Sequence, residues 1–335
     1  MKKNCIILSF AFFLMMLVSC VTSIPVNVER PAELDLGGAE TISVVPFKFP
    51  EVKPVTSGSI KIGSVTINLG NVNNSNEIKQ TNEEKIAAYL TRQLNSKLAV
   101  SDCYELIDSA VINSAINLGT EIPADIYITG IVEEIEEKIS YEDKEYEEEG
   151  EIYYETKYKK TVNVSITYQV VNAKDNSIVS YKTVPFSKIS NEADYKKDLP
   201  SAYSLLETEL ADLVEQIYKA IHPYTELKYL QLKSDKSKNP DFKTAETLAK
   251  NGMVKEAQDK FLNIYNETQN YEAAYNAAIL MQAAGDLDNA YNFMKEISTL
   301  TGDKQSINAL RDIQFEINSA KKLKAQNEAR SGGEK

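Results

Sequence analysis

Lys160-Thr-Val-Asn-Val-Ser-Ile-Thr-Tyr-Gln-Val-Val171 alternates apolar and polar side chains through Val162, Val164, Ile166 and Tyr168. A period of two is the mark of a strand with one face buried and one face wet. The turn signal Lys174-Asp-Asn-Ser177 follows, and Ile178–Phe186 returns as a second strand. Upstream, Ala124-Asp-Ile-Tyr-Ile-Thr-Gly-Ile-Val132 reads as a third strand, so the three form a meander.

Helices flank that meander. Thr81-Asn-Glu-Glu84 has the form of a capping box, opening a helix with Ile86, Leu90, Leu94 and Leu98 on one face. A strand at Tyr104–Ile107 comes next, then a short helix from about Asp108 to Leu118 that stops at Gly119. After the meander, Leu206, Leu210, Leu213, Ile217 and Ile221 line a long amphipathic helix. Ahead of all these, Thr41-Ile-Ser-Val-Val-Pro-Phe47 reads as a buried first strand closed by Pro46. The region 50–80 is rich in Gly, Ser, Asn and Pro, and its near-alternating Ile60, Ile62, Val65, Ile67 and Leu69 predict a hairpin on an insertion. Strands and helices in this order predict an α+β fold, a mixed sheet packed with helices, over residues 41–225.

From about residue 226 the pattern is helical. Gly252-Met-Val-Lys-Glu-Ala257 aligns with Gly285-Asp-Leu-Asp-Asn-Ala290 at an offset of 33 residues, and Phe261 and Met294 each follow four residues after the alanine. The period and the small residues resemble tetratricopeptide repeats, which pair helices every 34 residues or so. An all-α, TPR-like domain is therefore expected over 226–325, with residues 326–335 as a disordered tail. Such arrays bind peptides on a concave face, and Tyr265, Tyr271, Tyr275, Asn276 and Tyr291 are the expected partner-binding residues.

The chain opens with basic Lys2 and Lys3, an apolar run from Cys5 to Val18, and Leu17-Val-Ser-Cys20. That order is a secretory signal of residues 1–19, too short for a comfortable membrane span. The cysteine after Leu-Val-Ser makes it resemble a lipobox. The resemblance implies a thioether-linked glycerolipid on Cys20, with a further acyl chain such as palmitate on the freed amine. Two or more chains give stable anchoring, at about 0.8 kcal/mol per buried CH₂. Residues 20–40 are then expected to be a lipidated tether. Val21-Thr-Ser23 lacks the aspartate of inner-membrane retention, which favours the outer membrane facing the periplasm.

Composition narrows function further. The formal net charge is −12, which argues against nucleic acid as a partner. Of three cysteines, Cys5 leaves with the leader and Cys20 is acylated, so Cys103 has no intramolecular disulfide partner and is expected to be buried in a strand. The single histidine, His222, stands beside Pro223 at a helix end and is expected to be a cap or surface residue. No metal-ligand, P-loop or nucleophile motif occurs, so no metal, no cofactor and no catalytic residue is expected. Residues 133–151 hold eleven carboxylates and two lysines, interleaved with tyrosines, and are expected to form a solvated hairpin tip.

The run Thr41–Phe47, Leu90-Thr-Arg-Gln-Leu94, Tyr104–Asp108 and Ala124–Gly130 resembles, in order, the CsgG/LpoB-type lipoproteins. With Glu29-Arg-Pro-Ala-Glu33 and Ala273-Ala-Tyr-Asn-Ala-Ala278 added, the whole plan resembles a family of TPR-tailed envelope lipoproteins. The resemblance implies a non-enzymatic, membrane-anchored scaffold or regulator of envelope assembly with protein partners. Two alternatives stand beside it. A CsgG-like secretion component would need membrane hairpins, and charge at Glu133, Glu134, Glu136, Glu137 and Lys138 speaks against a lipid-facing wall. A wall or glycan enzyme would use paired carboxylates such as Asp125 and Glu133, some 5–10 Å apart.

Overall fold

The computed structural model describes residues 22–49, 59–62, 65–68, 80–235 and 239–332. The expected signal segment, residues 1–19, and Cys20 lie outside the described residues. The fold is α+β, a mixed sheet with helices followed by a helical region. The chain divides into two compact units, residues 32–222 with 329–335, and residues 1–31 with 223–328.

In the first unit, β2 (Thr41–Val44) runs parallel to β5 (Glu105–Leu106) on one side and to β6 (Ile126–Val132) on the other. β6 pairs antiparallel with β8 (Glu151–Asn172), and β9 (Ile178–Ile189) lines the far edge of β8. α1 (Asn82–Leu98) and α3 (Ala202–Ile221) cover one face. Their Ile86, Leu90, Leu94, Leu206, Leu210 and Ile217 meet Val162, Val164, Ile166 and Tyr168 from the alternating stretch. Each of these side chains is excluded from water, the burial on which the sheet's register depends. α2 (Ser109–Leu118) packs separately, placing Ile112 against Val45 and Ala124.

Local signals set the helix ends. Thr81 Oγ1 accepts from the Glu84 amide at 3.1 Å, the first half of a capping box. Asp108 caps α2 through the Ala110 amide, and Gly119 ends it at a φ of 66°. Gly130 in β6 serves a different need. A Cβ there would collide with the Phe47 ring and the Thr167 carbonyl, so only glycine admits so close an approach. β7 (Glu136–Glu148) follows β6 along the same edge of β8, pairing residue by residue from Glu136↔Asn163 to Glu148↔Glu151. Strands at Ser59–Ile62 (β3) and Val65–Asn68 (β4) pair antiparallel. Leu69 of the expected hairpin lies outside the described residues.

The second unit departs from the sequence expectation at both ends. Residues 23–30, expected within a tether, form β1 (Ser23–Arg30). Residues 224–231, expected to be mostly helical, form β10 (Tyr224–Gln231). The two pair antiparallel, Ser23↔Gln231 to Arg30↔Tyr224. Long-range pairing overrides the local pattern here, and Pro25 is tolerated because both strands are edges. Helices α4 (Pro240–Lys250), α5 (Val254–Thr268), α6 (Tyr271–Ala283), α7 (Leu287–Thr301) and α8 (Lys304–Ser331) follow. α8 extends through residues expected to be a disordered tail as far as Ser331. Gly252 and Gly285 turn the chain at φ of 78° and 80°, between α4 and α5 and between α6 and α7. Ala257, Phe261, Ala290 and Met294 are all fully buried in one core.

β1 and β10 are tied to α8 by buried charge. Arg30, at the end of β1, donates to Glu316 at 2.5 and 3.0 Å, and Lys228 donates to the same carboxylate at 2.9 Å. Glu226 takes the remaining Arg30 Nε–H at 2.7 Å.

Candidate functional site

The second unit contains a cavity of about 690 Å³. Its walls come from the end of β10 and the residues after it (Tyr229 to Ser234), from α6 (Glu272, Tyr275, Ile279, Gln282) and from the start of α8 (Asp303 to Asp312). Asp303 positions the α8 wall, because its Oδ2 accepts from the Ser306 amide and hydroxyl, each at 2.9 Å. The same oxygen takes the Lys233 ammonium at 2.6 Å. Burial would raise the Asp303 carboxyl, but Lys233 and Ser306 outweigh it and hold the group below its ordinary range.

Lys233 Nζ also sits 4.5 Å above the Tyr275 ring. Burial, with Asp303 and Asp312 nearby, pushes the Tyr275 hydroxyl up to about 12. It therefore stays neutral near pH 7 and able to donate. Asn276 is fully buried beneath this wall, accepting from the Lys233 amide at 2.7 Å and donating to the Lys233 carbonyl at 2.9 Å. It fixes the loop on which Lys233 stands. Gln282 lines the cavity, and its Oε1 is buried with no hydrogen-bond partner. An orphaned buried acceptor costs about 1–3 kcal/mol and calls for a physical reason.

The five expected partner-binding residues divide. Tyr275 lines the cavity. Asn276 supports it from the core. Tyr265 and Tyr271 pack on one another at 6.0 Å, and Tyr265 meets Phe293 at 5.8 Å, outside the lining. Tyr291 is half-buried against the helical core and is also no part of the lining. Residue types mark the aromatic positions of the helices, but not which of them line the cavity. Lys233, Asp303 and Gln282 were missed because polar residues in a helical run look like ordinary surface.

The carboxylates considered for catalysis are not brought together. Asp125 precedes β6 and Glu133 follows it, about 26 Å apart at strand rise. Asp125 instead accepts from the Glu40 and Thr41 amides and the Thr41 hydroxyl, at 2.9–3.0 Å, and pairs with Lys174. The acidic hairpin is a regular ladder, with every β7 side chain exposed. Tyr141 and Tyr158 face each other across it, as do Tyr146 and Tyr153. Among the described residues no helix is long and apolar enough to cross a membrane.

No family model matches the chain. No curated protein matches it. Solved structures to which it is similar include a PelC dodecamer from Paraburkholderia phytofirmans, 12% identical, spanning 58% of this chain and 96% of that one at a TM-score of 0.28. Another is lipoprotein GNA1162 from Neisseria meningitidis, 15% identical, spanning 53% of this chain and 97% of that one at a TM-score of 0.26. At these values the likeness carries nothing about what this chain binds or does.

Proposed function

We propose that the chain is a lipid-anchored envelope protein, not an enzyme, whose helical unit holds an extended segment of a partner protein in the cavity beside Tyr275. The observation that carries this is the cavity itself, whose lining combines apolar Ile279 and Ala309 with the amide side chains of Gln231, Gln282, Gln305 and Asn308. Amide side chains match the donors and acceptors of a peptide backbone. The 33-residue spacing of Gly252 and Gly285, both at left-handed turns, supports a TPR-like array with a concave face. The lipobox-like Leu17-Val-Ser-Cys20 supports the anchor and an outer-membrane, periplasm-facing location.

A photo-crosslinking residue placed at Gln305 in cells tests the cavity. A discrete protein adduct is expected, absent when Ile279→Glu is added and absent when the probe is moved to exposed Lys322. Adducts equal at both positions refute the reading. For the anchor, Cys20→Ser is expected to release the protein from membranes; retention of the variant in the membrane fraction refutes it.

A further inference from the structure

Far apart in sequence, Asp102, Cys103 and His222 converge in the first unit. One ligand atom from each lies within 4.8 Å of the others. Cys103 Sγ is 3.5 Å from Asp102 Oδ1, and His222 Nε2 is 4.0 Å from that same oxygen. We propose that these three side chains form a binding site for a divalent transition metal of the zinc class, independent of the cavity and of the function proposed for it.

The ligand chemistry is that of borderline-soft metals. A thiolate and an imidazole select zinc, cobalt or nickel over magnesium and calcium. Zinc takes sulfur at about 2.3 Å and nitrogen or oxygen at about 2.0–2.2 Å, so donor atoms in a tetrahedral site stand roughly 3.3–3.8 Å apart. The sulfur–carboxylate pair already meets that spacing at 3.5 Å, while the imidazole stands 4.0 Å from the carboxylate oxygen and within 4.8 Å of the sulfur, so closing the site takes side-chain shifts of up to about 1 Å. The Asp102 side chain is 96% exposed and has room to follow.

The two softer ligands stand on backbone that is already fixed. His222 is the C-cap of α3, with its amide on the Tyr218 carbonyl at 2.8 Å and its ring stacked on Tyr218 at 4.5 Å. Cys103 follows a turn in which Ser101 Oγ accepts the Cys103 amide at 3.0 Å. Ser101 Oγ also lies 2.9 Å from His222 Nε2, so metal binding would exchange that hydrogen bond for a coordinate bond and leave a hydroxyl beside a fourth position. Three protein ligands with an open fourth position is the zinc arrangement that accepts water. Thiolate, carboxylate and neutral imidazole together carry two negative charges. A divalent ion leaves the site neutral.

Titration of the full-length, membrane-extracted protein with Co²⁺ tests the proposal. A 1:1 complex with a sulfur-to-cobalt charge-transfer band in the near ultraviolet is expected. Cys103→Ser should abolish the band, while Asp102→Asn and His222→Gln, which remove direct ligands, should each weaken binding by at least the roughly 10-fold that loss of an outer-shell partner costs. Circular dichroism of Cys103→Ser should match the parent, since serine replaces a half-buried thiol in a loop. The proposal fails if no such band forms, if Cys103→Ser leaves it in place, or if Asp102→Asn and His222→Gln both bind as the parent does.

Discussion

Glu316→Ala should unfold the second unit more readily than any exposed charge deletion. Arg30 and Glu316 are 6% and 4% exposed, and two short hydrogen bonds join them. Removing one partner of a buried pair costs about 3–5 kcal/mol, because the survivor is left charged without compensation. The lower end applies here: Arg30 keeps Glu226, whose side chain is half exposed, and Lys228 keeps Asp312 at 2.9 Å. A loss of about 3 kcal/mol corresponds to a fall in Tm of roughly 12 °C for a unit of this size. Thermal melts at 222 nm report it directly. As comparison, Lys97→Ala in the Lys97–Glu215 pair, where both side chains are about 40% exposed, should cost under about 1 kcal/mol.

The effect carries a pH signature. Burial alone would raise the Glu316 carboxyl, but hydrogen bonds from Arg30 and Lys228 outweigh it and hold the group below its ordinary value of 4.5. Its stabilisation is therefore full above that value and is lost as pH falls through the lower folded-state value. The gap between parent and variant should narrow on acidification below about pH 4.5. Arg30→Met with Glu316→Leu should recover part of the loss, since the charges left behind are Glu226, half exposed, and Lys228, still paired with Asp312. A single-variant loss under about 1 kcal/mol, or a gap that does not change in acid, would refute the reasoning.

Three further outcomes are expected. Asp125 is held down to about 2, because Lys174 and the Glu40 and Thr41 amides outweigh burial; Asp125→Asn should cost about 1–2 kcal/mol at pH 7, and that difference should vanish between about pH 4 and 2 in acid-denaturation curves. Gly130→Ala should lose about 1–3 kcal/mol in urea, since the added methyl meets the Phe47 ring and the Thr167 carbonyl. Asn276→Ala should cost about 2 kcal/mol and loosen the cavity wall, read as faster hydrogen exchange at the Lys233 amide that Asn276 now accepts.

Local grammar made most of the first unit legible. Thr81 and Gly119 end their helices as their residue types demand, and the alternation from Val162 to Tyr168 buries the predicted face. Partners distant in sequence were the blind spot. Ile24, Val26 and Val28 alternate with Ser23, Pro25, Asn27 and Glu29, a period-two strand signal that lay in plain view, but nothing local names β10 as its mate. Cys103 and His222 each have an ordinary reading alone, and only the packing of α3 brings them to one place. Gly130 likewise reads as a strand weakener until the Phe47 ring is seen against it.

The β1–β10 pairing also sets a leash length. Only three peptide steps separate Cys20 from Ser23, and Ser23 stands opposite Gln231, which lines the cavity. Fully extended, that stretch reaches no more than about 11 Å. A glycerolipid on Cys20 would thus moor the cavity wall close to the headgroups, and the segment proposed to enter the cavity would then have to come to the bilayer surface.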